Sequence, residues 1–200
     1  LWIEEAITAI QDETFRLVNL GKIGRVGPNP SRRSERSRQA ILHAAIELLH
    51  EVGYAGLTIE AIAAEAKVGK QTIYRWWPSK GFVVLDAFLE HGPTTTVPDT
   101  GDLKADLKAL LRTTTEDLSN PLYRALITEA QHDEKLAAEL TDRLIRPLLA
   151  ATRERLGTSD SISADLLLGP IYYRWLLRID DISDDYIDRV VDAALESPAR

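Results

Sequence analysis

Two hundred residues, 44% of them apolar and 28% charged, have the composition of an ordinary globular chain large enough for one large or two small domains. No apolar run approaches the ~20 residues a membrane span needs, and Glu4, Glu5, Asp12 and Glu13 interrupt the N-terminal apolar stretch that a signal peptide would require. The absence of cysteine excludes disulfides and thiolate metal sites and fits a reducing, cytoplasmic setting.

The net charge of −7 is unevenly spread: residues 1–30 carry three basic and four acidic side chains, residues 31–91 eight and seven, and residues 92–200 thirteen and twenty. A near-neutral segment with a local basic cluster remains compatible with a polyanion, because phosphate contacts depend on local charge.

In chain order, Ile3, Ala6, Ile7, Ile10 and Leu17 recur at near-helical intervals and predict an amphipathic helix over residues 1–20. Two readings stand for it. It is an arm that packs on the core or on a partner subunit, or it is a poorly fixed segment added by a mis-assigned start. Residues 21–30 hold three glycines and two prolines and read as a linker, so residues 1–30 form an N-terminal extension. Arg32, Arg33, Arg36 and Arg38 then make a basic lead-in. Gln39 to Val52 is an amphipathic helix with Ile41, Ala45, Ile46, Leu48 and Leu49 on its apolar face and Gly53 as its stop. His43 and His50 share a face of it but lack the i,i+4 spacing of helical metal ligands, and no metal or other cofactor is expected.

Residues 58–80, TIEAIAAEAKVGKQTIYRWWPSK, read as two short helices joined by a tight turn. Thr58 caps the first, and Ile59, Ile62, Ala63 and Ala66 form its apolar stripe. Lys67-Val68-Gly69 is the turn, with Gly69 supplying the backbone freedom and Val68 packing between the helices. The second helix, Lys70 to Trp77, opens on Lys70, Gln71 and Thr72 and continues into Tyr74, Arg75, Trp76 and Trp77, donors suited to base edges and phosphates. Pro78 ends it and Ser79 caps the next helix. That helix, Ser79 to His91, is apolar nearly all round through Phe82, Val83, Leu85, Ala87, Phe88 and Leu89, and should be buried.

The stretch from about Ser34 to Leu89 resembles the DNA-binding domain of the TetR family of transcriptional repressors. The features that carry the likeness are Gly53-Tyr54, the Thr58-Ile59 helix start, Ala-x-x-Ala-x-Val-Gly, Ile73-Tyr74, and Ser79-Lys80 after a proline. It implies a DNA-binding unit over residues 31–91 and a helical ligand-binding and dimerisation body over residues 92–200. Carried over residue by residue, it puts Lys70, Gln71 and Thr72 on bases and Thr58, Tyr74 and Lys80 on phosphates, with Arg75 able to do either. Arg32, Arg33 and Arg36 would approach the backbone or minor groove. The partners implied are a pseudo-palindromic double-stranded operator, a second copy of the chain and a small, often hydrophobic inducer. Trp76-Trp77 departs from the smaller aromatics common in relatives.

Beyond the breaker-rich Gly92 to Gly101, every segment is helix-like: residues 102–118, 121–131, 133–156 with a kink expected at Pro147, 161–177, and 184–196. The chain is therefore expected to be all-α, with about nine core helices besides the N-terminal one. ADLLLGPIYYRWLLRI is too apolar for a surface helix. Its apolar residues cover more than one face, so part of it should be intramolecular core and part a subunit interface; the resemblance implies that it packs there with the last helix against the same pair of a second subunit, with Leu168, Ile171, Trp175, Leu176, Ile179, Val190, Val191 and Ala194 as the candidates. Gly169-Pro170 should kink the helix or allow close backbone approach. Phe88, Leu107, Leu111, Tyr123, Leu126, Ile127, Leu144, Leu148, Tyr172 and Trp175 are the candidate ligand contacts. His132 is expected to be solvent-exposed.

Nothing supports an enzyme: the chain has no cysteine nucleophile, no HExxH and no Gly-rich phosphate loop, and its four histidines are scattered. The alternative to an inducible repressor is a DNA-binding regulator without an inducer, acting constitutively or through a protein partner.

Overall fold

A computed structural model describes residues 30–91 and 96–196, the side chains of residues 30–33 and 121 excepted. The expected helix over residues 1–20, the linker that follows it, and the side chains of Arg32 and Arg33 lie outside the described residues. Regular structure among the described residues is entirely helical. The chain divides into two compact units, Leu1–Pro93 and Thr94–Arg200.

The N-terminal unit contains α1 (Pro30–Gly56), α2 (Ile59–Glu65), α3 (Lys70–Tyr74) and α4 (Lys80–His91). Helix α1 starts nine residues before the expected Gln39, so the basic lead-in is itself helical. No breaker follows Pro30, a residue tolerated in a first turn, and Glu35 pairs with Arg38 at 3.3 Å and with Gln39 at 3.2 Å along the helix. Gly53, at φ 67° and ψ 173°, breaks the helix before the terminal turn over Tyr54–Gly56. Ile41, Leu42 and Ile46 of α1, Leu57, Ile62 of α2 and Ile73 of α3 have no more than 1% exposure and form the core with Val83, Val84 and Leu85 of α4. Each fully buried side chain of this kind contributes about 1.5–3 kcal/mol.

The C-terminal unit contains α5 (Leu103–Ser119), α6 (Pro121–Ala130), α7 (Glu134–Leu140), a π-helical turn (Thr141–Ile145), α8 (Arg146–Leu156), α9 (Ser161–Leu177) and α10 (Asp184–Glu196). Its helix starts are capped by Asp102, Asn120, Asp133 and Asp160, whose side chains accept backbone N–H groups of the first turns. The disturbance expected at Pro147 takes the form of the π turn immediately before it. Proline has no N–H to donate to the fourth residue back and its ring crowds that carbonyl, and widening the preceding turn relieves both.

Two polar devices hold this unit. Lys104, Lys108 and Arg112, one turn apart on α5, pair with Asp192, Asp188 and Asp184 on the antiparallel α10. At Asp106, whose side chain is 2% exposed, the Thr100 hydroxyl donates at 2.6 Å and the Arg155 guanidinium at 2.5 Å. Thr100 first, then Arg155, hold this carboxyl below the ordinary carboxylate range despite its burial. Arg155 also donates to the Pro98 carbonyl at 3.1 Å, so the loop leading into α5 is fastened to α8.

The expected subunit-interface residues divide by burial. Ile171 and Val191 have no accessible surface, and Leu168 and Val190 have 4% and 8%, so all four belong to this unit's own core. Trp175, Ile179 and Ala194 are half-buried. Leu176, also among the expected residues, is 66% exposed, and it shares the apolar surface of α9 with Ile162, Leu166, Tyr173 and Leu177, between 46% and 59% exposed. Apolar residues cover more than one face of this helix, and a periodicity that does not fade on any side cannot show which side turns inward.

Candidate nucleic-acid interface

Thr58 sits in an extended conformation before α2, and its hydroxyl oxygen accepts the Ala61 N–H at 3.1 Å, which leaves its own proton free for a second partner. Ile59, Ile62 and Ala63 turn inward. The turn after α2 is made differently from the sequence expectation. Gly69 has an ordinary φ of −76°, whereas Lys67 takes the left-handed conformation at φ 54°. Val68 N–H closes the turn onto Ala63 O at 2.9 Å. A lysine is tolerated at Lys67 because its side chain is exposed, so the strain is confined to the backbone.

Helix α3 is shorter than the expected Lys70 to Trp77, but the chain keeps turning: Arg75 N–H meets Gln71 O at 3.1 Å and Trp77 N–H meets Ile73 O at 2.9 Å. Ile73 and Trp77, four apart, are its buried anchors, with 0% and 3% exposure. The Trp77 indole N–H donates to Asp86 Oδ2 on α4 at 2.8 Å. The two tryptophans therefore separate in role, Trp77 filling the helix junction and Trp76 lying 40% exposed beneath the Arg75 guanidinium, 5.9 Å from its ring centre.

With one side anchored, the other presents Lys70, Gln71, Tyr74 and Arg75 to solvent, with Thr72 half-buried at the edge. An exposed helix face of amide, hydroxyl and cationic donors is what the floor and walls of a major groove accept. Arg36 is also exposed.

Three basic residues are already engaged. Lys70 Nζ lies 2.9 Å from Glu60 Oε1 on α2, an attachment that holds the Glu60 carboxyl below and the Lys70 ammonium above their ordinary ranges. Lys80, expected on a phosphate, donates to both Tyr54 O and Leu57 O at 3.0 Å, with its ammonium 4.4 Å from the centre of the Tyr54 ring. It clamps the end of α1 to the start of α4. Arg38 of the basic cluster pairs with Glu90 at 2.6 Å and lies 3.9 Å from Asp86, bracing α1 against α4. Sequence reasoning missed Glu60 as Lys70's partner and Lys67 as the strained residue of the turn. An acidic side chain ten positions before the first residue of the second helix is the only signal for the former.

The expected ligand contacts occupy mixed positions. Leu107, Leu111 and Leu126 have no accessible surface, Tyr123 and Leu148 are buried, and Ile127, Leu144, Tyr172 and Trp175 are half-buried. Phe88 is buried and belongs to the N-terminal unit. None of them lines either of two surface concavities, one of about 210 Å3 beside Glu47, His50, Glu51 and Glu65, the other of about 670 Å3 between α9 and α10. The structure does bring three of them together. The Tyr123 and Tyr172 hydroxyls lie 2.9 Å apart, and Trp175 meets the Tyr172 ring edge-on at 6.5 Å. The Trp175 indole N–H is buried without a hydrogen-bond partner among the described residues. Burial, aided by Glu116, pushes nearby Asp117 up to about 6, and burial raises both phenols, Asp117 adding to this. Among the described residues no His, Asp or Glu grouping could hold a metal ion, and His132 is exposed.

Comparison with known proteins covers both units. The family profile for bacterial regulatory proteins of the tetR family matches residues 41–87, and that for the tetracyclin repressor-like C-terminal domain matches residues 97–194. The helix-turn-helix-type transcriptional regulator YdeS of Bacillus subtilis (strain 168) is 37% identical over 179 residues, spanning 80% of this chain and 89% of that protein. A DNA-binding transcriptional repressor TetR of Mycobacteroides abscessus is 34% identical over 123 residues, 59% of this chain and 65% of the relative. The crystal structure of the TetR family transcription regulator SCO0332 superposes with a TM-score of 0.68 at 34% identity, over 82% of this chain and all of that one.

Proposed function

The chain belongs to the TetR family of DNA-binding transcriptional regulators, and on that premise we propose that it is a homodimeric repressor that binds a pseudo-palindromic operator in the cytoplasm and is released by a small molecule. The observation that carries the DNA-reading part is the anchoring of α3 by Ile73 and Trp77. It holds Lys70, Gln71 and Thr72 at the head of an exposed helix, the end that meets base edges in helix-turn-helix proteins. Arg36, Thr58, Tyr74 and Arg75 supply the surrounding phosphate donors. Among the described residues no helix is long and apolar enough to cross a membrane.

For the dimer, the support is the exposed stripe Ile162, Leu166, Tyr173, Leu176 and Leu177. A contiguous apolar face of this kind on a helix whose opposite side, Ala164, Leu167, Leu168 and Ile171, is core marks a protein–protein surface. Gly169, exposed on the same side and with no atom within 4 Å of where a Cβ would stand, permits close approach of a second backbone. For the ligand, the support is the unpartnered indole N–H of Trp175 beside the Tyr123–Tyr172 pair, since a buried polar group without a partner costs about 1–3 kcal/mol that an incoming acceptor would recover. A second reading, a regulator without an inducer, is favoured by the complete burial of Leu107, Leu111 and Leu126, which leaves no room beside those side chains.

Selection of bound sequences from a pool of random duplexes tests the DNA reading. An inverted repeat with half-sites one helical turn apart, or a multiple of it, is the expected result, and recovery of no preferred sequence would refute it. A thermal-shift screen of small molecules, followed by operator release, separates the inducible from the non-inducible reading.

A further inference from the structure

Glu60 lies on the first turn of α2, 64% exposed, with its carboxylate 2.9 Å from the ammonium of Lys70, itself 53% exposed at the first position of α3. It brings negative charge to the face that meets a polyanion. A pair this open gains little for the fold, and Thr58 caps α2 without it. Among the described residues Lys70 has no carboxylate partner besides Glu60, while Lys67 and Arg75, the cations on either side of it in sequence, form no ion pair.

Resting on the DNA-reading proposal above, we propose that Glu60 is a specificity-determining residue that works with Lys70 as one unit and reads a G·C base pair. The ammonium has three donors. With one on Glu60, two remain to share between N7 and O6 of a guanine, while the free lone pairs of the carboxylate suit the N4 amino group of the paired cytosine. Both groups then stay satisfied. Against an arbitrary duplex the balance differs, because a phosphate draws Lys70 away from Glu60 and leaves the carboxylate facing phosphates uncompensated. Glu60 thus lowers affinity for DNA in general more than affinity for the right base pair. It raises the ratio between them, which is the quantity that matters among many competing sites.

The test uses the full chain and the operator recovered by selection from random duplexes. Wild type, E60Q, K70A and E60Q/K70A are titrated against three kinds of duplex: that operator, a series in which each conserved G·C pair of the operator is changed in turn to A·T, and an unrelated sequence. Circular dichroism melting serves as the folding control, to which an exposed E60Q substitution should be indifferent. E60Q is expected to bind the unrelated duplex roughly two- to five-fold more tightly. It should also lose most of the preference for G·C at one position of each half-site, and in the K70A background it should change that preference no further. A uniform tightening on all duplexes with the G·C preference intact would overturn the proposal, leaving Glu60 as plain repulsion. Persistence of the full E60Q effect in the K70A background would overturn it as well. A wild-type protein that selects no sequence would fail earlier, at the DNA-reading premise.

Discussion

Replacing Lys80 by alanine separates two roles that coincide in one side chain. Its ammonium donates to the carbonyls of Tyr54 and Leu57 at 3.0 Å each and sits over the Tyr54 ring at 4.4 Å. A hydrogen bond to a charged group nets about 1.5–3 kcal/mol, and an exposed cation–aromatic contact adds about 0.5–1 kcal/mol. The two carbonyls share one half-buried ammonium, so counting one full bond and part of the second gives a loss of about 2–3 kcal/mol for Lys80→Ala. A domain of 60–100 residues loses about 4–8 °C of Tm per kcal/mol, so the N-terminal unit of the variant should open about 8–24 °C below that of wild type. Native-state hydrogen exchange measured over residues 41–62 and 80–91 reads that opening directly. The third N–H of the ammonium remains for a phosphate, and the salt slope of DNA binding should fall by about one. Exchange within about 0.5 kcal/mol of wild type, the ordinary result for a surface substitution, together with weakened DNA binding, would refute the clamp and leave Lys80 as a phosphate contact alone.

Gly53→Ala should destabilise by about 1–3 kcal/mol in thermal melting, because φ 67° with ψ 173° is essentially restricted to glycine. The space around it is open, so serine should cost the same as alanine. Lys67→Gly should instead raise stability by up to about 1 kcal/mol by removing left-handed strain, at φ 54°, that lysine bears and glycine does not. Asp117 is raised to about 6 from 3.8, mainly by burial. The folded state therefore binds the proton more tightly, and the stability this gives is complete below about 3.8 and lost as pH rises through about 6. Asp117→Asn should accordingly be about 1 kcal/mol more stable than wild type at pH 7.5, after allowance for solvent screening, with the difference vanishing near pH 4 in urea titrations. Leu176→Arg should yield a folded monomer by sedimentation, since Leu176 is 66% exposed in the single chain. A dimer that survives this substitution would move the interface away from α9.

The number and order of the helices and the elements of the DNA-reading motif are legible in local sequence, because those signals act between near neighbours. Thr58 caps from three residues away, Gly53 breaks a helix through its own φ, and Ile73 and Trp77 face one way because they are four apart. What required tertiary structure was the choice among equivalent options. Sequence offered eight basic residues between positions 31 and 91, and only folding placed Arg38 on Glu90 across 52 positions and Lys80 on Leu57 O across 23. It equally offered two adjacent tryptophans, of which packing against α4 buried Trp77 and left Trp76 out. For α9, local pattern could establish only that the helix is apolar on more than one face. Which residues become core depends on where α5, α8 and α10 come to lie, and their arrival turned Leu168 and Ile171 inward while leaving Leu166, Tyr173 and Leu176 on the surface.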